Sequence, residues 1–150
     1  MKIFFTISMI ILFAVPSLLI ADESLVFKTD IRAPLKVNAD TMYLDKVQLE
    51  GGFSGSVNIK QGPLNLQSDQ MRFVFTNNKK MPIITYLFAS EGVIIANEDM
   101  TASGNNASYS VMKNEILLEG NVIVNNNFTS MRGEKLFIDL ETGKINFLSD

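Results

Sequence analysis

The feature that most restricts the fold is an alternation of apolar and polar residues with a period of two. It is clear where Leu35 and Val37 alternate with Lys36 and Asn38, and it recurs in short runs up to the end of the chain. Such alternation indicates half-buried strands of an antiparallel sheet. Gly, Asn and Pro residues separate the runs and indicate turns. Because no long window after residue 21 keeps apolar residues at helical spacing, we predict an all-β domain there.

The first 21 residues follow a different pattern. Lys2 is followed by an apolar stretch that ends at Ala21. One positive charge, an apolar stretch and a small residue are typical of a secretory signal peptide. We therefore expect residues 1–21 to form a helical signal peptide and residues 22–150 to form one exported domain. The alternative is an uncleaved anchor, since the apolar stretch is long enough to span a bilayer.

The composition narrows the function. The chain has no Cys and no His, and its formal net charge is -3. Without Cys there is no disulfide or thiolate site, and without His there is no imidazole ligand or Ser-His-Asp triad. The mild acidity argues against a nucleic-acid partner. We predict a scaffold or binding protein without cofactor, metal or catalytic residues, and an exported chain without Cys suits the periplasm.

An internal repeat runs through the domain. Gly55 falls on Gly120 and Val57 on Val122, an offset of 65 residues. Self-similarity at a fixed offset indicates structural repeats that stack on one another. A shorter theme of apolar, polar, small and then acidic or amide residues recurs at residues 37–40, 66–69, 102–105 and 131–134. We expect each copy to mark a corner where a strand bends. An ordinary β-sandwich with coincidental similarity is the alternative.

The ordered segments resemble a known family. These are Pro34-Leu35-Lys36-Val37-Asn38-Ala39-Asp40, Gly55-Ser56-Val57-Asn58-Ile59, Leu117-Leu118-Glu119-Gly120-Asn121-Val122-Ile123-Val124, and Gly133-Glu134 with Lys144-Ile145. Following a signal peptide, they resemble the OstA-like family of lipopolysaccharide-transport proteins over nearly all of residues 34–150. The resemblance implies an open, twisted antiparallel β-jellyroll shaped like a folded taco, built of repeated strand pairs. Its two sheets would enclose an apolar groove that shields the acyl chains of lipid A.

The resemblance also implies partners. They are lipopolysaccharide, further copies of the chain joined head to tail, an inner-membrane protein of the LptC type and an outer-membrane protein of the LptD type. Edge strands would join these proteins by main-chain hydrogen bonds. The expected pairing residues are Leu35 and Val37 at one edge, and Ile145 and Phe147 at the other. The alternative is that the charged side chains of Lys36 and Lys144 prevent the addition of a strand at these edges.

The candidate groove residues come from two sources. The resemblance places Leu35, Val37, Phe88, Tyr109 and Val111 in the groove, and the alternation adds Phe73, Val124 and Ile138 as inward-facing positions. For any single residue the simpler interpretation is that it fills a packed core.

Three functions are compatible with these observations. The first is a non-enzymatic periplasmic carrier and bridge for lipopolysaccharide in outer-membrane assembly. The second is a membrane-anchored, LptC-like subunit of the same export system. The third is a purely structural β-repeat protein or a carbohydrate-processing β-solenoid enzyme, although no acidic constellation in the sequence supports the enzyme.

Overall fold

The computed structural model describes residues 25–77 and 81–149, and the predicted signal peptide lies outside these ranges. Within them the chain forms nine β-strands. In chain order these are β1 (Lys36–Asn38), β2 (Thr41–Asp45), β3 (Glu50–Gln61), β4 (Leu64–Thr76), β5 (Ile83–Ala96), β6 (Met100–Ser110), β7 (Glu115–Asn126), β8 (Ser130–Asp139) and β9 (Ile145–Leu148). Among the described residues no helix is long and apolar enough to cross a membrane. The all-β fold predicted from the alternation is confirmed.

The strands form a single antiparallel sheet in which neighbours along the chain are neighbours in space. From β3 to β9, each strand pairs with the next one. Both β1 and β2 pair with β3, as the register partners Val37 and Ile59, and Met42 and Phe53, show. The sheet therefore has one edge made of β1 and β2 and a second edge made of β9.

Each long strand bends near its middle, where the register with its neighbours shifts. The bends coincide with pairs of residues at positive φ, namely Gly55-Ser56 in β3, Glu91-Gly92 in β5 and Gly120-Asn121 in β7. Each pair lies opposite a single residue of the next strand, which is Asp69, Asn105 or Glu134 respectively. Two residues opposite one define a β-bulge, which bends the strand. The corners thus lie where the recurring small-and-acidic theme predicts them.

Local chemistry explains why these residues occupy the corners. Gly55 and Gly120 both have φ of +79°, in a region that L-residues with a Cβ adopt only at a cost. A Cβ on Gly120 would lie 3.0 Å from Asn105 Cβ and closer still to its side-chain amide. The backbone N–H of Asp40 donates to Gly55 O at 3.0 Å. Acidic and amide residues therefore pack directly against the glycine corners.

The corners divide the sheet into two layers. The first layer contains β2, β9 and residues 50–54, 70–76, 83–90, 106–110, 115–119 and 135–139. The second layer contains β1 and residues 57–61, 64–67, 93–96, 100–103, 122–126 and 130–133. Apolar side chains of both layers belong to a single buried cluster, although the described residues contain no helix that could cover them. The two layers therefore cover each other, as in the folded shape that the resemblance implies.

We expect Gly120→Ala to lower the free energy of unfolding by about 2 kcal/mol or more, because alanine meets both an unfavourable φ and the Asn105 side chain. Gly92→Ala is the matched control. Its φ is +70°, but a Cβ there meets no heavy atom of the described residues within 4 Å, so we expect only about 1 kcal/mol. Urea unfolding of both variants measures the difference. Equal losses would show that the added Cβ at position 120 meets no steric penalty from Asn105.

Candidate functional site

The candidate site is the apolar interior between the two layers. Phe73, Tyr109 and Ile138 lie in the first layer and Val124 lies in the second, and all four are buried. The structure therefore brings these four predicted residues together, facing inward. Tyr109 is only 1% exposed. In this state the interior of the described chain is packed with side chains, and contact of these residues with a lipid stays a prediction.

Three other predicted residues lie at the margins of the same interior. Leu35, Val37 and Val111 are half-buried and pack against the core. Val111 follows β6, and its backbone N–H donates to Thr85 O at 3.0 Å. These positions are the predicted groove residues that combine core contact with partial exposure.

The prediction that Phe88 faces inward is wrong. Its neighbours Leu87 and Ala89 are buried in the core, and Phe88 lies on the opposite face of the sheet. The reason is a bulge in β5: Val74 pairs with Tyr86 but Phe75 pairs with Ile84, which leaves an extra residue between them. A bulge of one residue reverses the faces, so Ile84 packs against the core and Phe88 does not.

Phe88 belongs instead to an outer-face cluster. The Arg72 guanidinium carbon lies 4.9 Å from the centre of the Phe88 ring, and the Tyr86 ring stacks on Phe88 at 6.0 Å. Arg72 Nη1 is 3.7 Å from Glu50 Oε2. Arg72 and Phe88, together with Tyr43, border a cleft of about 540 Å³ on the outside of the first layer. Phe88 therefore lies away from the interior that the other predicted residues line.

Residues 25–34, which we call the strap, contribute further side chains to the interior, beyond those predicted from the sequence. Burial alternates along the strap, and its odd-numbered residues face inward. Phe27 is 0% exposed, and Leu25 and Ile31 pack partly buried against the same core. The apolar alternation of the sequence extends upstream to Leu25, but Thr29 and Ala33 weaken the signal.

The start of the strap is bound to the first layer. The Phe27 N–H donates to Gly143 O at 2.6 Å, in the connection between β8 and β9. Val26 forms an antiparallel bridge with Lys144, the residue before β9. The strap therefore covers the beginning of the β9 edge.

The middle of the strap is bound to the second layer. Asn97, in the connection between β5 and β6, donates from Nδ2 to Lys28 O at 3.0 Å. Lys28 Nζ lies 3.3 Å from Asp99 Oδ2, and both side chains are largely exposed. Since its start binds the first layer, the strap closes the ends of the two layers against each other.

A buried polar group fastens the remainder of the strap. Gln61, at the end of β3, donates from Nε2 to Ile31 O at 3.0 Å and to Ala33 O at 3.2 Å. Its Oε1 accepts a hydrogen bond of 2.6 Å from the Tyr109 hydroxyl, which belongs to the other layer. Burial raises the pKa of Tyr109 to about 12. Gln61 and Tyr109 thus connect both layers with the strap, and neither role follows from the alternation.

The two sheet edges differ in their surroundings. Val37 lies in the β1 edge, which pairs only with β3 among the described strands, and Leu35 directly precedes it. Ile145 and Phe147 lie in β9, which begins next to the strap. The Phe147 ring packs closely over Gly133, where a Cβ would collide with it. Pairing of these residues with a partner strand stays a prediction.

We expect Tyr109→Phe to lower the free energy of unfolding by about 1–3 kcal/mol at pH 8, because Gln61 Oε1 would be buried without its donor. Above pH 10 the difference should shrink. Unfolded wild-type chains ionise this tyrosine near pH 10 and folded chains only near pH 12, so the wild type loses stability as pH rises between these values. Urea unfolding at pH 8 and pH 11 measures both effects. A constant difference would contradict the buried, neutral hydroxyl.

Comparisons with known proteins agree with this geometry. A family model described as the LptA/(LptD N-terminal domain) LPS transport protein matches residues 36–144. Among solved structures, the fold is similar to that of LptH from Pseudomonas aeruginosa, whose description is the LptA homologous periplasmic component of the conserved lipopolysaccharide transport device. The TM-score is 0.70 at 21% sequence identity, and the match covers 81% of this chain and 87% of LptH. No curated protein matches the chain significantly.

The family match spans more than two thirds of the sequence and contains all the corners described above. The similarity to LptH, at its low sequence identity, adds that the fold is shared. Together they confirm the resemblance that the corner segments indicate. The chain belongs to the family of LptA and LptD N-terminal domain lipopolysaccharide-transport proteins.

Proposed function

We propose that this chain is a periplasmic carrier of lipopolysaccharide that shields the acyl chains of lipid A between the inner and the outer membrane. The observation that carries the proposal is the continuous apolar interior within a matched domain of the lipopolysaccharide-transport family. Transport rather than catalysis is the activity of that family. The likeness to LptH, described as a periplasmic component, favours a periplasmic carrier over a membrane-anchored LptC-like subunit.

The chemistry of the interior suits the acyl chains. Each methylene group removed from water stabilises a complex by about 0.8 kcal/mol, so long acyl chains gain much from an apolar enclosure. Phe73, Val124 and Ile138 supply aliphatic and aromatic surface from both layers. Val111 and Val37 supply partly exposed apolar surface at the margins. These residues, with Leu35 and Tyr109, are the lipid-contacting residues that we propose.

We also propose that the edge strands join copies of the chain head to tail, and join it to proteins of the LptC and LptD types. The sheet has edge strands on both sides: β1 and β2 form one edge, and β9 forms the other. An added strand would use their backbone N–H and C=O groups. The four-residue β9 and the three-residue β1 are short, so specific side chains, Leu35, Val37, Ile145 and Phe147, would supply much of the contact.

The lipid contacts can be tested by photo-crosslinking. We expect a photoreactive phenylalanine analogue at Val111 to form adducts with purified lipopolysaccharide, because Val111 packs against the interior and is partly accessible. Phe88 is the matched control, since it is also half-buried but faces outward beside Arg72. Gel analysis of the two adducts measures the outcome. Adducts at Phe88 without adducts at Val111 would contradict an interior lipid site.

Strand addition at the first edge can be tested with Val37→Pro. Proline lacks the backbone N–H, and edge strands tolerate it far better than central strands do. We expect head-to-tail association to weaken by about tenfold or more while the circular dichroism spectrum stays that of a β protein. Sedimentation velocity measures the association, and Val47→Pro, in the exposed connection between β2 and β3, is the control. Unchanged association in Val37→Pro would argue against pairing through β1.

A further inference from the structure

A carrier must admit its lipid, yet the interior of the described chain is closed. Side chains such as Ile116, Leu136 and Ile138 have no exposed surface. Phe27 of the strap is equally inaccessible and belongs to the same cluster. The aromatic ring of Phe27 thus fills apolar space between the layers. It does so from outside the sheet, since within the described ranges the strap forms no ladder beyond the single bridge at Val26.

Some of the contacts that hold the strap are polar and lie at the surface. The Lys28–Asp99 ion pair is exposed, and exposed ion pairs contribute little. The bond from Asn97 to Lys28 O is exposed as well. Among the described residues, Thr29 Oγ1 is buried without a hydrogen-bond partner, which destabilises the closed position. Among the described residues, the backbone of the strap is joined to the sheet by the Phe27–Gly143 hydrogen bond, the bridge at Val26 and the side-chain bonds from Gln61 and Asn97, whereas the strands pair in continuous ladders. The strap is therefore bound less firmly than the sheet beneath it.

A cleft with more apolar than polar surface lies beside the start of the strap. Leu25, Val26, Met100 and Phe128 border a cleft of about 390 Å³. Phe128, in the turn between β7 and β8, is 89% exposed. An exposed phenylalanine next to an apolar cleft is a favourable first contact for an acyl chain, because it removes apolar surface from water. Leu25, Val26 and Lys28 of the strap line this cleft, and the buried Phe27 lies between them in the chain.

We propose that the strap is a displaceable plug, and that an acyl chain enters at the Phe128 cleft and takes the place of the Phe27 ring in the interior. The inference rests on the proposed function, because it needs an acyl chain as the occupant. An acyl chain and the Phe27 ring are both apolar and offer the core similar contacts. The lipid therefore competes with an internal apolar group for one site, and the fraction of open strap limits its apparent affinity.

A reversible lock on the strap tests this. The chain has no cysteine of its own, so the variant Val26→Cys/Lys144→Cys contains a single pair. The two positions are antiparallel bridge partners, whose Cα separation suits a disulfide. We expect the oxidised variant to bind purified lipopolysaccharide about tenfold more weakly, or worse, than the same variant after reduction with dithiothreitol.

The matched control is Lys36→Cys/Lys60→Cys, a cross-strand pair between β1 and β3 that does not involve the strap. It should bind equally well in both redox states. If the locked strap variant binds as well as its reduced form, the plug is refuted while the carrier function stands. If neither the reduced variant nor the wild type binds lipopolysaccharide, the proposed function itself is refuted, and the plug with it.

Two single substitutions act in opposite directions. Thr29→Val keeps the shape of the side chain and removes the unpaired hydroxyl, so it should hold the strap closed and weaken binding several-fold. Phe27→Ala removes the plug and should strengthen apparent binding. If the strap only formed part of the lipid-binding wall, the more apolar Thr29→Val would bind at least as tightly and Phe27→Ala more weakly. Either of those results would overturn the plug.

Discussion

The structure depends on one requirement, which is that a sheet with one apolar face must bury that face without a helix to cover it. The described chain meets this requirement by bending each long strand so that the two halves of the sheet face each other. The bends are possible because bulges at Gly55-Ser56, Glu91-Gly92 and Gly120-Asn121 place two residues opposite one. Without these corners, the apolar face would remain exposed to water and the sheet would associate or unfold.

Strands and corners could be predicted from the sequence because both are encoded locally. The period of two indicates on which face of the sheet a side chain lies. Small residues beside Asp, Asn or Glu indicate where a strand bends. The position of Phe88 could not be predicted in this way. The bulge that reverses its face is fixed by contacts with other strands: Thr85 Oγ1 donates to Val74 O, and Val111 N–H donates to Thr85 O. These partners are distant in sequence, so the local pattern of Ile84, Tyr86 and Phe88 was misleading.

The closure of the interior was hidden for the same reason. Gln61 is a polar residue at an inward position. Its role follows from its hydrogen-bond partners, which are Tyr109, 48 residues away, and two carbonyl groups of the strap. The strap itself alternates as a strand does, but in the part of the chain that the structure describes it forms one isolated bridge and no ladder. Thus an alternating sequence indicates which side of the chain is buried. It does not distinguish a strand of the sheet from a segment that lies across the ends of the strands.

The same limit applies to the difference between a core and a lipid site. Phe73, Val124 and Ile138 have the side chains that either role requires, and the structure shows them packed together. A carrier differs from a protein with an ordinary core in that its interior must be able to open. Here the interior is closed on two sides, at the corners and at the strap, and the two closures differ in strength. On the corner side, each bend is fixed by the backbone itself, through positive φ and β-bulges. On the strap side, closure relies on the inserted Phe27 ring with two partly buried neighbours, on one backbone hydrogen bond with an isolated bridge, and on side-chain hydrogen bonds and an exposed ion pair. Local opening occurs where a structure is least stable. We therefore expect the two layers to separate at the strap while the corners keep them joined.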